Sequence, residues 1–233
     1  MYILEGNIGA GKSTFLKMLA HALPSISISL EPINNWQKQV YGQSLLTNFY
    51  QNPNRWAYTL ETFAMMSRVQ EHIQEQKNTG CIIFERSVYS GHYCFAQNSN
   101  ENGFMSELEW ELYTHWFHFL IPGRCMAPQG FIFLQVDPQI AYERIRKRNR
   151  HAEKNLSLAY LKQIDKKHEL FLLEKKNILH ELIDVPVLIL NCNEEFETDT
   201  VQFKNHVEQV QQFLSQTQRF KPAAPSQQPH QFA

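Results

Sequence analysis

A glycine-rich turn near the start of the chain limits its fold more than any other feature. The turn runs Gly6-Asn7-Ile8-Gly9-Ala10-Gly11-Lys12-Ser13 and fits the pattern GxxxxGK[ST] without a mismatch. The apolar run 2–5 before it predicts a buried strand, and the apolar spacing over 12–22 after it predicts a helix that ends before Pro24. Strand, turn and helix in this order are typical of a loop that binds the phosphates of a nucleotide.

The residue types in this turn suit a triphosphate and its magnesium ion. Glycines let backbone N–H groups approach phosphates without a Cβ in the way, and the helix N-terminus adds partial positive charge. Lys12 is expected to hold the β- and γ-phosphates, and the Ser13 hydroxyl is expected to bind Mg²⁺. The predicted ATP-binding residues of this loop are Gly6, Asn7, Ile8, Gly9, Ala10, Gly11, Lys12, Ser13 and Thr14.

The rest of the chain alternates between strand-like and helix-like segments. Apolar runs at 25–30, 81–85, 131–136 and 187–192 predict strands, and helical spacing occurs at 54–77, 105–120, 138–181 and 198–214. This alternation predicts an α/β fold of the P-loop kinase type, with a parallel five-stranded sheet and helices on both of its faces. The predicted core face of the long helix at 54–77 consists of Leu60, Phe63, Ala64, Met66 and Val69.

Composition and charge narrow the class of protein. The chain has 233 residues and a net charge of −1, which suits one domain over 1–217 and gives no general attraction to nucleic acid or membranes. No stretch approaches the ~20 apolar residues that span a bilayer, and residues 1–6 do not resemble a secretory signal, so a cytoplasmic location is expected. The four cysteines show no CxxC pair and are expected to be reduced thiols. Residues 218–233, rich in Pro, Gln and Ala, predict a disordered tail.

Charged residues follow the second and third predicted strands, at the ends where parallel sheets bind ligands. Glu31 stands directly after the second strand, where its carboxylate could take the proton from an attacking hydroxyl. Glu85 ends the third strand, where an acid could reach Mg²⁺. Arg86 beside it could hold either the acceptor oxygen or the Glu31 carboxylate. These three residues are predicted to face the same cleft as the phosphate loop.

A basic cluster lies in the helical region after the fourth strand. Arg144 and Arg148 are four residues apart and therefore share a helix face, and Arg150 follows them. Arginines that close over a triphosphate stabilise the charge on its oxygens during transfer. We expect an arginine-rich lid over 144–155 rather than a nucleic-acid patch, because the cluster is short and the chain is nearly neutral.

The phosphate loop by itself does not identify the reaction. A GTPase would need a guanine-reading NKxD segment, and the sequence contains none. This leaves an ATP-dependent kinase or an ATPase that is coupled to motion.

Taken together, these motifs resemble those of the deoxynucleoside kinase family. The resemblance extends over about residues 1–214 and rests on Gly6 to Thr14, Glu31-Pro32 with Trp36, Arg55-Trp56, Ser67-Arg68, Glu85-Arg86-Ser87-Val88-Tyr89-Ser90 and the basic cluster. It implies transfer of the γ-phosphoryl group of ATP, with Mg²⁺, to the 5′-hydroxyl of a deoxyribonucleoside in nucleotide salvage. Family members are commonly homodimers with a helical interface, so a homodimer is expected as well.

The resemblance also implies a role for individual residues. Glu31 matches the general base for the 5′-hydroxyl, Arg86 the arginine beside that hydroxyl, and Glu85 the acid on the magnesium side. Tyr50 and Glu153 match the pair that binds the sugar 3′-hydroxyl. The remaining matches are Phe95 and Trp36 around the base, Arg144, Arg148 and Arg150 in the lid, and Glu194, Glu195 and Phe196 near the adenine of the donor.

One pocket position departs from the family pattern. Glu61 stands where the family usually has glutamine, and an ionised carboxylate only accepts hydrogen bonds. Guanine has two adjacent donors on the edge it would present, and Arg68 could donate to its O6 and N7, so a guanine preference is expected. Glu61 and Arg68 could instead pair with each other. Gly91, where purine and cytidine members tend to carry aspartate, leaves space for a larger or methylated base, so broad specificity remains open.

Two other functions are open on the sequence alone. A nucleoside monophosphate kinase of the thymidylate kinase type shares the scaffold, although Glu31 would repel the phosphate of its acceptor. A regulatory module that binds nucleotide without turnover is the alternative of another class. It is disfavoured because residues for both binding and chemistry are present.

Overall fold

The computed structural model describes residues 1–31, 44–78 and 80–218 and is built around a parallel β-sheet. The strands are β1 (Tyr2–Gly6), β2 (Ile26–Ser29), β3 (Cys81–Glu85), β4 (Phe131–Gln135) and β5 (Val187–Asn191). Their order across the sheet is β2-β3-β1-β4-β5, and every neighbouring pair is parallel. This arrangement confirms the predicted α/β fold with five parallel strands.

Helices connect the successive strands. α1 (Lys12–Ala22) follows the phosphate loop, and α2 (Leu45–Gln51) and α3 (Pro53–Glu75) lie between β2 and β3. α4 (Val88–Ser90), α5 (Gln97–Glu101) and α6 (Glu107–Leu120) lie between β3 and β4. α7 (Pro138–Arg148) and α8 (Leu158–His168) precede β5, and α9 (Thr200–Thr217) follows it. The π-helical segments Gly91–Ala96 and Glu169–Leu173 continue α4 and α8, and 3-10 turns occur at His151–Glu153 and His180–Leu182.

The pleat of the strands sends alternate side chains into two separate cores. Ile3 of β1 packs into a core with α3 and α6 on one face, whereas Leu4 packs with α1 and α9 on the other. Phe133 and Leu134 of β4 divide between the two cores in the same way. Helices therefore cover both faces of the sheet, which explains why the central strands β3, β1 and β4 are apolar at most positions.

Side-chain caps determine where α3 and α6 begin. Asn52 accepts a hydrogen bond from the N–H of Arg55, and Pro53 takes the first helical position, where a missing N–H is harmless. Ser106 and Glu109 form a capping box at the start of α6. These caps fix the start of α3, the helix that carries both Glu61 and Arg68.

The core face predicted for α3 is partly wrong. Leu60, Ala64 and Val69 are buried as expected, but the side chains of Phe63 and Met66 are 44% and 47% exposed. The helix carries apolar residues on more than one side, and their spacing alone does not show which side meets the core. Phe63 and Met66 belong to an exposed surface instead.

The expectations for the cysteines, for membrane-spanning helices, for Trp36 and for the tail are compared with the structure in turn. The four cysteines are free thiols, three of them buried. Within the described ranges, no helix combines the length and the apolar character needed to cross a membrane. Trp36 and the predicted tail beyond Gln218 lie outside the described residues.

Candidate active site

The carboxyl ends of the central strands open into a cavity of about 280 Å³. Because β2, β3 and β1 are neighbours, the segments that follow them lie side by side at one edge of the sheet. The rest of the lining comes from α1, α2, α3, α7 and α8, from the π-helical segment Gly91–Ala96 and from the segment after α7. The predicted site residues that line this cavity are Ile8, Gly9, Gly11, Lys12, Ser13, Thr14, Glu31, Tyr50, Glu61, Arg68, Glu85, Arg86, Phe95, Arg148, Arg150 and Glu153.

Two glycines of the phosphate loop have no room for a side chain. Gly9 and Gly11 have φ angles of +84° and +89°, in the left-handed region that glycine tolerates best. A Cβ at Gly9 would lie 2.4 Å from the carbonyl oxygen of Ala141, and a Cβ at Gly11 would lie 2.9 Å from the ring of Phe196. The loop is therefore pressed closely against α7 and the segment before α9.

Lys12, at the start of α1, folds back onto the loop. Its ammonium group donates to the carbonyl oxygens of Gly6 and Asn7, at 3.1 and 3.0 Å. Burial and the nearby charge of Arg86 lower the pKa of Lys12 to about 7. A phosphate in the loop would favour the charged amine, so this side chain is suited to bind an anion.

The side chain of Glu31 is buried between two arginines. Its carboxylate accepts hydrogen bonds from Arg68 Nη2 at 2.5 Å and from Arg86 Nε at 3.2 Å. Burial by itself would raise the pKa of Glu31, but the charges of Arg86 and Arg68 outweigh burial and lower that pKa below its ordinary value. Glu31 is therefore an ionised carboxylate at neutral pH and can accept a proton.

Arg86 connects the acceptor side of the cavity to the phosphate loop. Its φ angle of +68° is uncommon outside glycine, and its N–H donates to the carbonyl oxygen of Leu4 at 2.8 Å. Nη2 of Arg86 donates to the carbonyl oxygen of Gly6 at 3.3 Å, while Nε contacts Glu31. One guanidinium group thus touches both the first residue of the phosphate loop and the Glu31 carboxylate.

Ser13 and Glu85 form an oxygen pair that suits a hard cation. The Ser13 hydroxyl donates to one carboxylate oxygen of Glu85 at 2.7 Å, and the backbone N–H of Glu31 reaches the other at 3.4 Å. Hydroxyl and carboxylate oxygens are ligands that Mg²⁺ takes in nucleotide sites, together with phosphate oxygens and water. The chemistry and proximity of the two side chains fit the predicted magnesium role.

The three arginines of the predicted lid have different partners. Arg148 and Arg150 both pair with the buried carboxylate of Glu153, at 2.6 and 3.6 Å. Arg144 lies outside the cavity lining, and its Nη2 donates to the carbonyl oxygens of Asn193 and Glu194, at 3.4 and 3.0 Å. Arg144 therefore anchors the 193–196 loop to α7, and closure of the lid over a nucleotide stays a prediction.

The residues predicted for the sugar line the cavity together. Tyr50 and Glu153 both belong to its wall. Burial and the charge of Glu153 raise the pKa of Tyr50, so its hydroxyl stays protonated at neutral pH and can donate a hydrogen bond.

Glu61 and Arg68 lie in the part of the cavity that α3 contributes. Glu61 is 5% exposed, and burial raises the pKa of Glu61 to about 7 against the opposing charges of Arg68 and Arg86. The structure shows Arg68 in an ion pair with Glu31, a partner that the sequence did not suggest. A Cβ at Gly91 would lie 2.6 Å from Arg68 Nη1, so the guanidinium uses the space that Gly91 leaves.

Three residues near the site were missed by the sequence argument. Lys17 lies at the cavity one turn beyond Ser13, and helical spacing could have identified it. Tyr160 of α8 lines the cavity, and no local pattern marks it. Glu5 is fully buried and accepts a hydrogen bond from the Ser87 hydroxyl at 2.5 Å; a charged residue in an otherwise apolar strand was the available signal.

The residues predicted for the adenine lie apart from the cavity lining. Phe196 is 2% exposed and packs edge-on against Phe15, with ring centroids 5.7 Å apart. Its ring also faces Gly11, so it supports the phosphate loop from behind. Glu194 contacts Arg144 through its backbone, and the contact of 194–196 with adenine stays a prediction.

Comparison with known proteins adds independent information on the family. The family model for deoxynucleoside kinase matches residues 2–215. The chain belongs to the deoxynucleoside kinase family. It is 37% identical to the mitochondrial deoxyguanosine kinase of Xenopus laevis over 219 residues, covering 84% of this chain and 83% of that protein. It is 34% identical to deoxycytidine kinase 2 of Gallus gallus, with 91% and 89% covered, and 33% identical to the deoxycytidine kinase of Homo sapiens, with 91% and 90% covered.

Membership of the deoxynucleoside kinase family settles the class of activity. The chain is an ATP-dependent phosphotransferase that acts on nucleosides, and this confirms the expectation from the motifs. The names of these relatives specify different nucleosides, deoxyguanosine and deoxycytidine, and one of the names specifies a mitochondrial protein. The preferred base and a cytoplasmic location of this chain therefore stay predictions.

Proposed function

We propose that this kinase transfers the γ-phosphoryl group of ATP to the 5′-hydroxyl of a deoxyribonucleoside, with Glu31 as the general base. The observation that supports this most directly is the position of Arg86, whose guanidinium contacts both Glu31 and the carbonyl oxygen of Gly6. A hydroxyl held beside Glu31 would therefore lie within one side chain of the phosphate loop. Such proximity is what an in-line transfer between the two sites needs.

The proposed chemistry follows from the charges around Glu31. The 5′-hydroxyl oxygen attacks the γ-phosphorus, the bond from that phosphorus to the bridging oxygen of ADP breaks, and Glu31 accepts the hydroxyl proton. Arg86 keeps the Glu31 carboxylate oriented, and Lys12 neutralises the phosphate oxygens. The products are the nucleoside 5′-monophosphate and ADP.

Ser13 and Glu85 are the residues that would hold Mg²⁺ brought in with ATP. The ion would supply positive charge against the β- and γ-phosphate oxygens. Glu85 also accepts from the backbone N–H of Glu31, so the magnesium side and the general base share one hydrogen-bonded unit.

The Glu153 carboxylate would serve both the lid and the sugar site. Glu153 pairs with Arg148 and Arg150 and lines the cavity beside Tyr50. A sugar 3′-hydroxyl between Tyr50 and Glu153 would compete for the carboxylate oxygens that the arginines use. Sugar binding would then release Arg148 and Arg150 toward the triphosphate.

A panel of acceptors tests the proposed function. The purified protein is incubated with ATP, Mg²⁺ and each of the four deoxynucleosides, and separately with the four matching deoxynucleoside monophosphates. We expect phosphorylation of one or more deoxynucleosides and none of the monophosphates, because Glu31 carries a negative charge where a monophosphate kinase must bind an anion. Turnover of monophosphates alone would show the thymidylate kinase type of reaction, and binding without any turnover would show the regulatory alternative.

We also propose that the chain forms a homodimer through α3 and α6. These two helices carry large apolar side chains that are 42–65% exposed, and we call these residues the α3–α6 surface. The two helices contact each other, and several exposed large apolar side chains on neighbouring helices are typical of an interface between subunits. The α3–α6 surface consists of Phe63, Met66, Leu108, Leu112, Trp116 and Phe119.

A further inference from the structure

Glu61 has a buried carboxyl group in the cavity, and the proposed phosphoryl transfer does not use this group. It lines the cavity from α3 together with Leu60 and Ala64, on either side of it in the helix. The ring of Phe95 lines the same cavity and lies 4.4 Å from the Arg86 guanidinium, next to the proposed reaction centre. A base that stacks on this ring would have to satisfy its polar edge with the few polar groups of this lining.

The two protonation states of a carboxyl group present different hydrogen-bond patterns. The ionised form has two acceptor oxygens, which match the adjacent N1–H and N2–H₂ donors of guanine. The neutral acid has one O–H donor and one carbonyl acceptor, which match the N3 acceptor and N4–H₂ donor of cytosine, or N1 and N6–H₂ of adenine. A buried site discriminates strongly between such patterns because an unmatched polar group loses its hydrogen bond.

The surroundings of Glu61 leave both states accessible near neutral pH. Burial favours the neutral acid and raises the pKa of Glu61 to about 7, while Arg68 and Arg86 favour the ionised form. The charge of Glu31 also opposes the ionised form. The tyrosine hydroxyls that face Glu61 all have pKa values raised by burial, so none of them titrates near pH 7: Tyr50, Tyr113 and Tyr160.

We propose that Glu61 selects the base through its protonation state, accepting guanine when ionised and cytosine or adenine when neutral. The inference rests on the proposed function, since it concerns the acceptor of that reaction. It replaces a fixed guanine preference with one that depends on pH: deoxyguanosine is favoured in mildly alkaline solution and deoxycytidine or deoxyadenosine in mildly acidic solution.

Competition between two substrates in one tube tests this inference. Deoxyguanosine and deoxycytidine are mixed with the enzyme, ATP and Mg²⁺, and the two monophosphate products are quantified between about pH 6 and about pH 8, where neither base ionises. With the two substrates at equal concentration, the initial product ratio gives the ratio of the two kcat/KM values. Ionisation of Lys12, Glu31 or ATP affects both substrates alike and cancels. We expect the ratio of deoxyguanosine to deoxycytidine to rise about tenfold per pH unit, because each substrate follows one form of Glu61.

Glu61→Gln is the matched control, since an amide of the same shape does not titrate. Its product ratio should be independent of pH and shifted toward deoxycytidine. A ratio independent of pH in the unaltered enzyme, no turnover of deoxycytidine at any pH, or an unchanged slope in Glu61→Gln would overturn the inference. Absence of product from every deoxynucleoside would instead contradict the proposed function itself.

Discussion

Arg68 and Arg86 hold the Glu31 carboxylate before any substrate is bound, so the protein itself sets the position of the proposed general base. Glu31→Gln keeps the size of the side chain but removes its ability to take a proton. We expect kcat to fall by about 100-fold or more, in line with loss of general-base catalysis. Affinity for ATP should change little, because the phosphate loop keeps all of its own contacts. Steady-state kinetics and calorimetric titration with ATP measure the two quantities.

The control for this substitution is Glu71→Gln. Glu71 is a partly buried carboxyl on α3 that contacts the Ser29 hydroxyl of β2, close to the site but outside the cavity. Its amide variant should keep kcat within a few-fold of the unaltered enzyme. Thermal melts of both variants separate loss of catalysis from loss of folding. A folded Glu31→Gln enzyme with unchanged kcat would remove Glu31 from the reaction.

Site residues could be predicted where a local pattern marks them. The phosphate loop is a contiguous motif, and Glu31 and Glu85 each follow a strand, so parallel strands alone bring them together. The pair of Arg68 with Glu31 joins residues 37 positions apart. It depends on the rotation of α3 and on the space beside Gly91, and neither can be read from spacing along the chain.

At the scale of elements, the start of the π-helical segment Gly91–Ala96 controls where Arg68 lies. Gly91 has a helical φ angle of −52°, so its backbone would accept alanine, but the added Cβ would meet Arg68 Nη1 at 2.6 Å. We expect Gly91→Ala to displace the guanidinium and raise KM for deoxynucleosides several-fold. KM for ATP should stay unchanged, because the contact lies away from the phosphate loop.

Steady-state kinetics with each substrate varied in turn checks this expectation. Gly80→Ala is the control, since a Cβ there would meet no atom of the described residues within 4 Å. Equal KM values for deoxynucleosides in Gly91→Ala and the unaltered enzyme would show that Arg68 does not need the space at Gly91.

Helices were predicted less completely than strands, for a reason that α3 illustrates. Its bounds follow from Asn52, Pro53 and a long periodic segment, so the helix itself was predictable. Its buried face was not, because Phe63 and Met66 are as apolar as the true core residues. Only the packing of α3 against the core that it shares with α6 distinguishes its two faces.

At the scale of the whole molecule, the alternation of apolar runs and helices predicts the sheet. No comparable pattern predicts which apolar side chains stay exposed, as those of the α3–α6 surface do. Leu108, Leu112, Trp116 and Phe119 recur at intervals of three or four residues along α6, a spacing that predicts burial. Burial in this chain is incomplete, since each is at least 42% exposed. A second subunit would complete the burial that the sequence pattern implies.

Trp116→Glu tests this proposal, because a charge within an apolar interface would lose its hydration on association. We expect the unaltered chain to sediment as a dimer and the variant as a monomer in analytical ultracentrifugation at micromolar concentration. Val201→Glu is the matched control: Val201 is 66% exposed on α9, outside the α3–α6 surface, so this variant should remain dimeric. A monomeric unaltered chain, or a Trp116→Glu variant that stays dimeric, would show that the α3–α6 surface does not join two subunits. If the Trp116→Glu monomer keeps its kcat, the dimer stabilises the fold without contributing to a site that one chain builds alone.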